Sequence, residues 1–559
     1  MMAVLVGTGG SPMASGLEPG VHEDGHRAVW VCFRDKPAAD GTSVEWPAWD
    51  ELRADTATDR PLNADYVEHI QHHGIIVQTQ SKWLNAITAE VTERQIRWLE
   101  KQPFVTRVQP VRHLVRPPAP VTAPEFVEGA KITAQDIDYG ASFQQLSSIK
   151  VTVLHQLGFR GNGIRIGVLD SGFNFQEHPA FSELRVLATR DFINGDDVVS
   201  DQTAQPVTGD ETRTDQNGHG TRVLSLLAAQ ANGIMVGAAP EAEYILAKVE
   251  DLVDELPVEE DRWIAGLEWA DSLGAQVINS SLGYMIWDDD SGYTYSDLDG
   301  QTAPTSIVAG LAAQRGIVVV NAAGNDGDNS WNYVSVPADA EDVITVGSVN
   351  VFDLEIDRSS SRGPTPDGRI KPDVVAPGAD VVVAQVGGGY GRGRGTSLAA
   401  PLVAGTCALL LEINPGWSPF DVAQALRETA QDLGDAGPDT TYGFGLVNAE
   451  AASRLSVSIP EVSTGRTPFP NPLKFSATGG TLYFPLALSA QDVVAVHIYE
   501  LSGSKVAELS GRRLEAGDYG GPERALCWLV PPHLSSGFYI YRISANTFSS
   551  TGKFALIRE

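Results

Sequence analysis

The sequence predicts an α/β protein whose central parallel sheet is wrapped by helices, with a small α+β unit before it and an all-β sandwich after it. Three observations carry this prediction. Between about Asp138 and Leu455, short apolar strands alternate with helical patterns, the signature of a parallel sheet covered on both faces. From Arg27 to about His113, a few strands and one amphipathic helix form a separate pattern. From about Thr467 onward, strand-like runs alternate with Gly, Ser and Pro turns.

In chain order, residues 1–26 have no assigned fold. Their start, "MMAVLVGTGGSPMASG", lacks a basic segment and is a poor secretion signal, so the true start lies upstream or the signal is absent. The α+β unit, 27–115, takes "RAVWVCF" and "GIIVQTQ" as strands, "TERQIRWLEK" as a helix and "VTRVQPV" as the closing strand. The proline-rich stretch 116–126 cannot pair into a sheet or continue a helix, which makes 116–137 a linker. In the 138–456 domain, "IRIGVLD", "YILAKV", "AQVINSSLG", "GIVVVNAAG" and "DVITVGSV" read as strands. The helices are "HGTRVLSLLAAQ", "DRWIAGLEWADSLG", "TSIVAGLAAQRG" and "SLAAPLVAGTCALLLEI". A short linker, 457–466, leads to the β-sandwich of 467–559.

Composition narrows the function. With 71 acidic against 40 basic residues the net charge is -31, which argues against nonspecific binding to nucleic acid or an anionic membrane. No run has the roughly 18 to 20 apolar residues of a transmembrane segment. The three cysteines, Cys32, Cys407 and Cys527, fall in three different units and imply neither a disulfide framework nor a metal site.

Chemistry concentrates in the α/β segment. Asp170 ends the strand "IRIGVLD", at the edge where open α/β sheets build their sites. His219 lies between glycines at a helix start in "NGHGT". Ser397 stands at a loop-to-helix junction in "GTSLAAP". Alone, each has a structural use: Asp170 as a turn residue, His219 as packing, Ser397 as a helix cap. Together, a carboxylate, an imidazole and a hydroxyl at loop edges beside glycine are the parts of a nucleophilic site.

These segments, "VLDSG", "NGHGT" and "GTSLAAP" in the order Asp, His, Ser, resemble the three signatures of the subtilisin-like serine proteases, and the order itself separates this triad from others. "INSSLG", "AAGND" and "SSRGPTPDGRIKPDVVAPG" are similar to that family's substrate strand, oxyanion loop and pre-serine stretch. The resemblance implies Ser397 as nucleophile, His219 as general base and then acid, Asp170 as the group that orients the imidazole, and Asn325 as an oxyanion donor beside the Ser397 N–H. It implies a substrate pocket of Ser281, Leu282, Gly283, Ala323, Gly324 and Asp326, and protein or peptide substrates. The acidic stretch 249–261 would edge the groove and, with Asp326 at the rim of an apolar-walled pocket, let it accept large apolar residues and also tolerate Lys or Arg. Leu398 replaces the methionine usual after the serine, a swap of similar volume. No cofactor is required for such chemistry. The acidic stretch 287–300 is a solvated insertion or a structural calcium site, and the metal ligands stay unassigned.

Residues 27–115 resemble the family's inhibitory propeptide, which makes the unit an inhibitor of its own protease and the chain a zymogen. Residues 467–559 resemble the C-terminal sorting domains of the type IX secretion route, through "FPNP", "VHIYELSGSKVAEL" and "SSGFYIYRISANTFSSTGKFALI". That resemblance implies a bacterial protein, secreted or on the cell surface, handed to secretion machinery; a plain β-sandwich binding module is the alternative. The rival to an active enzyme is an inactive binding scaffold of the same fold. The remaining motifs read as structure: "GYGRGRGTS" lacks the lysine of a phosphate loop, "GNG" at 161–163 is a tight turn, and His69, His72 and His73 form a solvated helix face.

Overall fold

The computed structural model describes residues 26–37, 43–49, 52, 60–111, 137–201, 216–251, 258–285, 292–455, 464–466, 468, 470–475, 480–489, 492–500, 505–514, 517–519 and 525–558. The reading of residues 1–25, the proline-rich linker and the middle of the stretches 249–261 and 287–300 lie outside them. Two compact units form, Met1–Arg454 and Leu455–Glu559.

The N-terminal α+β part is a four-stranded antiparallel sheet in the order Ile76–Ser81, Ala86–Thr92, His26–Phe33, Val105–Pro110. The strand Ala86–Thr92 and the helix Ala64–His72 add to the sequence reading. Two helix starts are fixed by side chains. Asn63 accepts from Asp65 N at 3.1 Å, and Thr92 and Gln95 form a reciprocal capping box before Glu93–Leu99. His73 stacks on Trp98 at 3.7 Å between ring centroids, and His69 stacks on it at 5.5 Å. Two of the three histidines therefore pack on an aromatic ring.

Period-two alternation explains why "AVWVCF", 28–33, is apolar throughout. Val29, Val31 and Phe33 join Ile70, Ile87 and Leu99 in a core closed by the unit's own helices. The intervening Trp30 and Cys32 join Trp83, Leu84 and Ala86 in a second core, shared with Trp263, Ile264 and Leu267 of the α/β part. Both faces of the strand His26–Phe33 are thus buried from Val29 to Phe33, one of them because the neighbouring domain is there.

The α/β part has one eight-stranded sheet in the order Gly389–Arg394, Val374–Gln385, Ile344–Asn350, Val318–Ala322, Val277–Ser280, Arg165–Asp170, Glu243–Lys248, Arg185–Asp191. Every neighbouring pair is parallel except the first, so the sheet is mixed rather than purely parallel. The Gly-Arg run "GYGRGR", whose alternation sequence reading passed over, is that antiparallel edge strand. Its pattern is hidden because glycine supplies no apolar signal. Gly161 and Gly163 have φ of +90° and +79°, as the tight-turn reading of "GNG" requires.

The chain's first strand in this sheet, Arg165–Asp170, sits in the middle, with later strands laid on either side. Its carboxyl end therefore opens at a topological switch point, where such sheets form their crevice. Helix Thr396–Ile413 is apolar and long enough to cross a membrane, but it is 89% buried inside the fold, as a core helix is. Leu398 is 3% exposed, packed where a Cβ on Gly393 would lie 2.4 Å from its Cδ1.

The C-terminal unit is all-β among its described residues. A five-stranded sheet runs Leu473–Phe475, Ser549–Arg558, Gly537–Ser544, Asp492–Glu500, Lys505–Leu514, accompanied by one three-stranded and one two-stranded sheet. The sheets share one core, in which Phe484 meets Tyr541 and Phe554 at 5.5 and 6.0 Å.

Candidate active site

Asp170 is fully buried at the last position of its strand. Its Oδ1 accepts from His219 Nδ1 at 2.7 Å, Ser171 N at 2.8 Å and Ser171 Oγ at 3.3 Å. Lys248 is the register partner of both Asp170 and Asp191. It places its ammonium 3.0 Å from Asp191, so Asp170 has the imidazole rather than the lysine at hydrogen-bonding distance.

His219 enters from the first turn of the helix Gly218–Ala228. With Nδ1 committed to Asp170, its other ring nitrogen, Nε2, has no hydrogen-bond partner. Gly220 follows because nothing larger fits: a Cβ there would lie 2.2 Å from the Gly172 carbonyl oxygen and 3.0 Å from Asp170 Oδ1. Glycine beside the histidine lets the two segments close on each other.

Ser397 is the second residue of the helix Thr396–Ile413, which packs against the helix carrying His219. Gly395, with φ of +136°, makes the sharp entry. A Cβ on Gly395 would sit 3.3 Å from Ser397 Oγ and 3.6 Å from Asn325 Nδ2, so hydroxyl and amide border one small space. Asn325 Oδ1 accepts from Thr396 N at 2.9 Å and Thr396 Oγ1 at 3.2 Å. That leaves the Nδ2 donors of an exposed side chain available. The helix N-terminus adds its positive dipole end to the same space.

The six residues expected to line the substrate pocket divide. Ser281, Leu282 and Gly283 leave the strand Val277–Ser280, and Ala323, Gly324 and Asp326 leave its parallel neighbour Val318–Ala322. The segment Ser335–Val336 bridges them. Ser335 N donates to Ala323 O at 3.1 Å, while Val336 and Tyr284 exchange bonds of 2.9 and 3.1 Å. Leu282 and Ala323 are 2% and 0% exposed, so any contact they make is through backbone. The carboxylate of Asp326 accepts from Asn329 Nδ2, within its own loop.

The acidic groove edge expected over 249–261 is corrected for Glu259, Glu260 and Asp261, which are buried in the first turn of the helix Val258–Ser272. Glu259 accepts from Asp251 N at 2.8 Å, and Glu260 from Tyr293 Oη at 2.9 Å and Thr305 Oγ1 at 3.1 Å. Acidic residues suit a helix start, and these serve the fold rather than a solvated rim. In 287–300, Asp297 and Asp299 cap local turns. Among the described residues no group of three His, Cys, Asp or Glu side chains could hold a metal ion.

Sequence reasoning missed three features: Thr396, which ties Asn325 and Gly324 to the serine's turn; Glu268, which meets the N-terminal unit; and Pro401, which interrupts the helix behind Ser397. Glu268 accepts from Ser81 Oγ at 2.6 Å, Lys82 N at 3.0 Å and Trp83 N at 3.2 Å. Complete burial pushes its carboxyl up to about 7. Nothing in an isolated Glu on an amphipathic helix signals such a role.

Known proteins resemble this chain over its α/β part and the segment before it. The Subtilase family profile matches residues 161–445, and that of the Bacteroidota peptidase S8 propeptide domain matches 50–123. Subtilisin E of Bacillus subtilis is 33% identical over 392 residues, covering 69% of this chain and 85% of that protein. Subtilisin of Bacillus pumilus is 34% identical over 328 residues, 57% of this chain and all of the relative. An alkaline protease of Alkalihalobacillus alcalophilus is 32% identical over 330 residues, 58% of this chain and 73% of its own. With a matching catalytic domain, a propeptide domain ahead of it and relatives of this similarity along most of their length, the chain belongs to the subtilase family and is a serine endopeptidase of the zymogen type.

Proposed function

We propose that the chain is a secreted bacterial endopeptidase that cleaves protein substrates with Asp170, His219, Ser397 and Asn325 and that releases itself from its own propeptide. The carrying observation is the 2.7 Å bond from His219 Nδ1 to Asp170 Oδ1, with Nε2 unpartnered. This bond selects the tautomer in which Nε2 is a base. Ser397 Oγ gives its proton to Nε2 as it attacks the scissile carbonyl, and the imidazolium formed is stabilised by Asp170. Hydroxyl-to-imidazole bonds tighten in substrate complexes, so a substrate-free Nε2 without a partner fits the role. The oxyanion receives Asn325 Nδ2 and Ser397 N–H. Nε2 then returns the proton to the leaving amine, and water repeats the sequence on the acyl-enzyme.

Gly283 and Gly324 would border the side chain before the cut, with the buried Ser281, Leu282 and Ala323 offering backbone. The N-terminal unit acts as inhibitor until cleavage between about Pro117 and Tyr139. The C-terminal unit is the address read by secretion machinery, and calcium, if bound, serves stability rather than chemistry. Purified zymogen tests the reading: wild type should cut itself in that interval, and Ser397→Ala should stay intact. Equal cutting of the two, with no other protease added, overturns it.

A further inference from the structure

Helical hydrogen bonds run from the N–H of one residue to the carbonyl four residues earlier. In Thr396–Ile413 the residue four after Ser397 is Pro401, which has no N–H and whose ring crowds the carbonyl four residues before it. The Ser397 carbonyl has therefore lost its helical donor, at a position that is 95% buried. A buried carbonyl in this state needs another partner. It has one: Ser281 Oγ donates to Ser397 O at 2.8 Å. Ser281, itself 2% exposed, has its hydroxyl oriented in turn by Asn279 Nδ2 at 3.2 Å. Asn279 belongs to the central strand Val277–Ser280, so the relay ties the serine's backbone to the sheet.

From this geometry we infer that Ser281 is a positioning residue for the nucleophile: the Asn279–Ser281 relay replaces the helical bond that Pro401 removes and fixes the peptide on the C-terminal side of Ser397. The inference rests on the reading of Ser397 as nucleophile. On the N-terminal side, the bond from Thr396 N to Asn325 Oδ1 at 2.9 Å does the matching work. The backbone is thus held by groups outside its own helix on both sides of the serine, at Ser397 O and one peptide further back at Thr396 N. Rotation of Oγ toward His219 then needs no rearrangement of the helix start. The Ser281 hydroxyl touches the reaction only through Ser397, so it sets how often the nucleophile is in line for attack rather than how well substrate binds.

The helix supplies the test. Pro401→Ala restores an N–H four residues after Ser397 and so offers the carbonyl an internal donor. Ser281→Ala should lower kcat per titrated active site by about tenfold, the effect of one lost buried hydrogen bond, with KM held within about twofold. In the Pro401→Ala background the same substitution should cost no more than about threefold, because the helix then satisfies the carbonyl. A purely structural or substrate-wall role would not give this rescue. The inference is overturned if Ser281→Ala leaves kcat unchanged, if it raises KM alone, or if the loss is equally large in both backgrounds. Full hydrolysis by Ser397→Ala would instead overturn the underlying reading of the nucleophile.

Discussion

At the scale of single residues, the site is a set of commitments that leave particular atoms free. His219 spends Nδ1 on Asp170, and Asn325 spends Oδ1 on Thr396; Nε2 and Nδ2 are what remain for chemistry. Removing an oxyanion asparagine of this kind, as known for subtilisin, costs roughly a hundred- to a thousandfold in kcat. Asn325→Ala should do the same here with KM little changed, measured by steady-state hydrolysis of a peptide substrate. A loss under about fivefold would remove Asn325 from the mechanism. Asp326 is a weaker determinant, because its carboxylate is engaged by Asn329 and exposed charge pairs are worth only about 0.2 to 1 kcal/mol. Its expected effect is a preference of a few fold for Lys over Glu before the cut, shrinking with salt and absent in Asp326→Asn. Equal cleavage of Lys and Glu peptides by wild type at low salt would exclude it.

The residue scale is also where the sequence was most legible. Asp170, His219 and Ser397 stand in short motifs whose glycines have readable reasons, such as the 2.2 Å clash that a Cβ on Gly220 would make. Their supports were not legible, because they come from distant segments. Ser281 reaches Ser397 across 116 residues, and no local pattern reports which hydroxyl meets which carbonyl. The Ser-to-Pro spacing of four within "GTSLAAP" is a local signal that a carbonyl there needs an outside donor, and the sequence reading passed over it.

At the scale of elements, the strands and helices named from the sequence form, but the apolar strand Val374–Gln385 and the helix Pro419–Thr429 were passed over, as were Gly389–Arg394, Arg185–Asp191 and Ala86–Thr92. Glycine, arginine or alanine fills the last three strands, and sheet pairing rather than propensity holds them. The helix Val258–Ser272 shows why its composition misled. Its acidic residues look solvated, yet Glu268 is buried against the N-terminal unit. A carboxyl held at about 7 in the complex and near its ordinary 4.5 once exposed makes the complex take up a proton. Association of propeptide and protease should therefore strengthen as pH falls from about 7 toward 4.5, by at most about tenfold per pH unit, and level off above 7. Inhibition of the processed enzyme by added propeptide, measured at about pH 5 and about pH 8, should show this slope in wild type and a smaller one in Glu268→Gln. Equal inhibition at the two pH values would mean the carboxyl keeps its charge in the complex.

At the scale of the molecule, the N-terminal unit and the protease share a continuous core, whereas residues 455–559 form a unit with its own. Deleting Thr467–Glu559 should accordingly leave a folded, self-processing protease with unchanged kcat/KM, retained inside the cell envelope of a native host. Normal secretion of the truncated chain would contradict the export role. The central claim is that Ser397 is the nucleophile, and labelling tests it most directly. Mature enzyme treated with a sulfonyl fluoride should take up one reagent per molecule, on Ser397 by peptide mapping, in step with loss of hydrolysis, and Ser397→Ala should take up none. Label on another residue, or hydrolysis that survives in Ser397→Ala, would contradict the account.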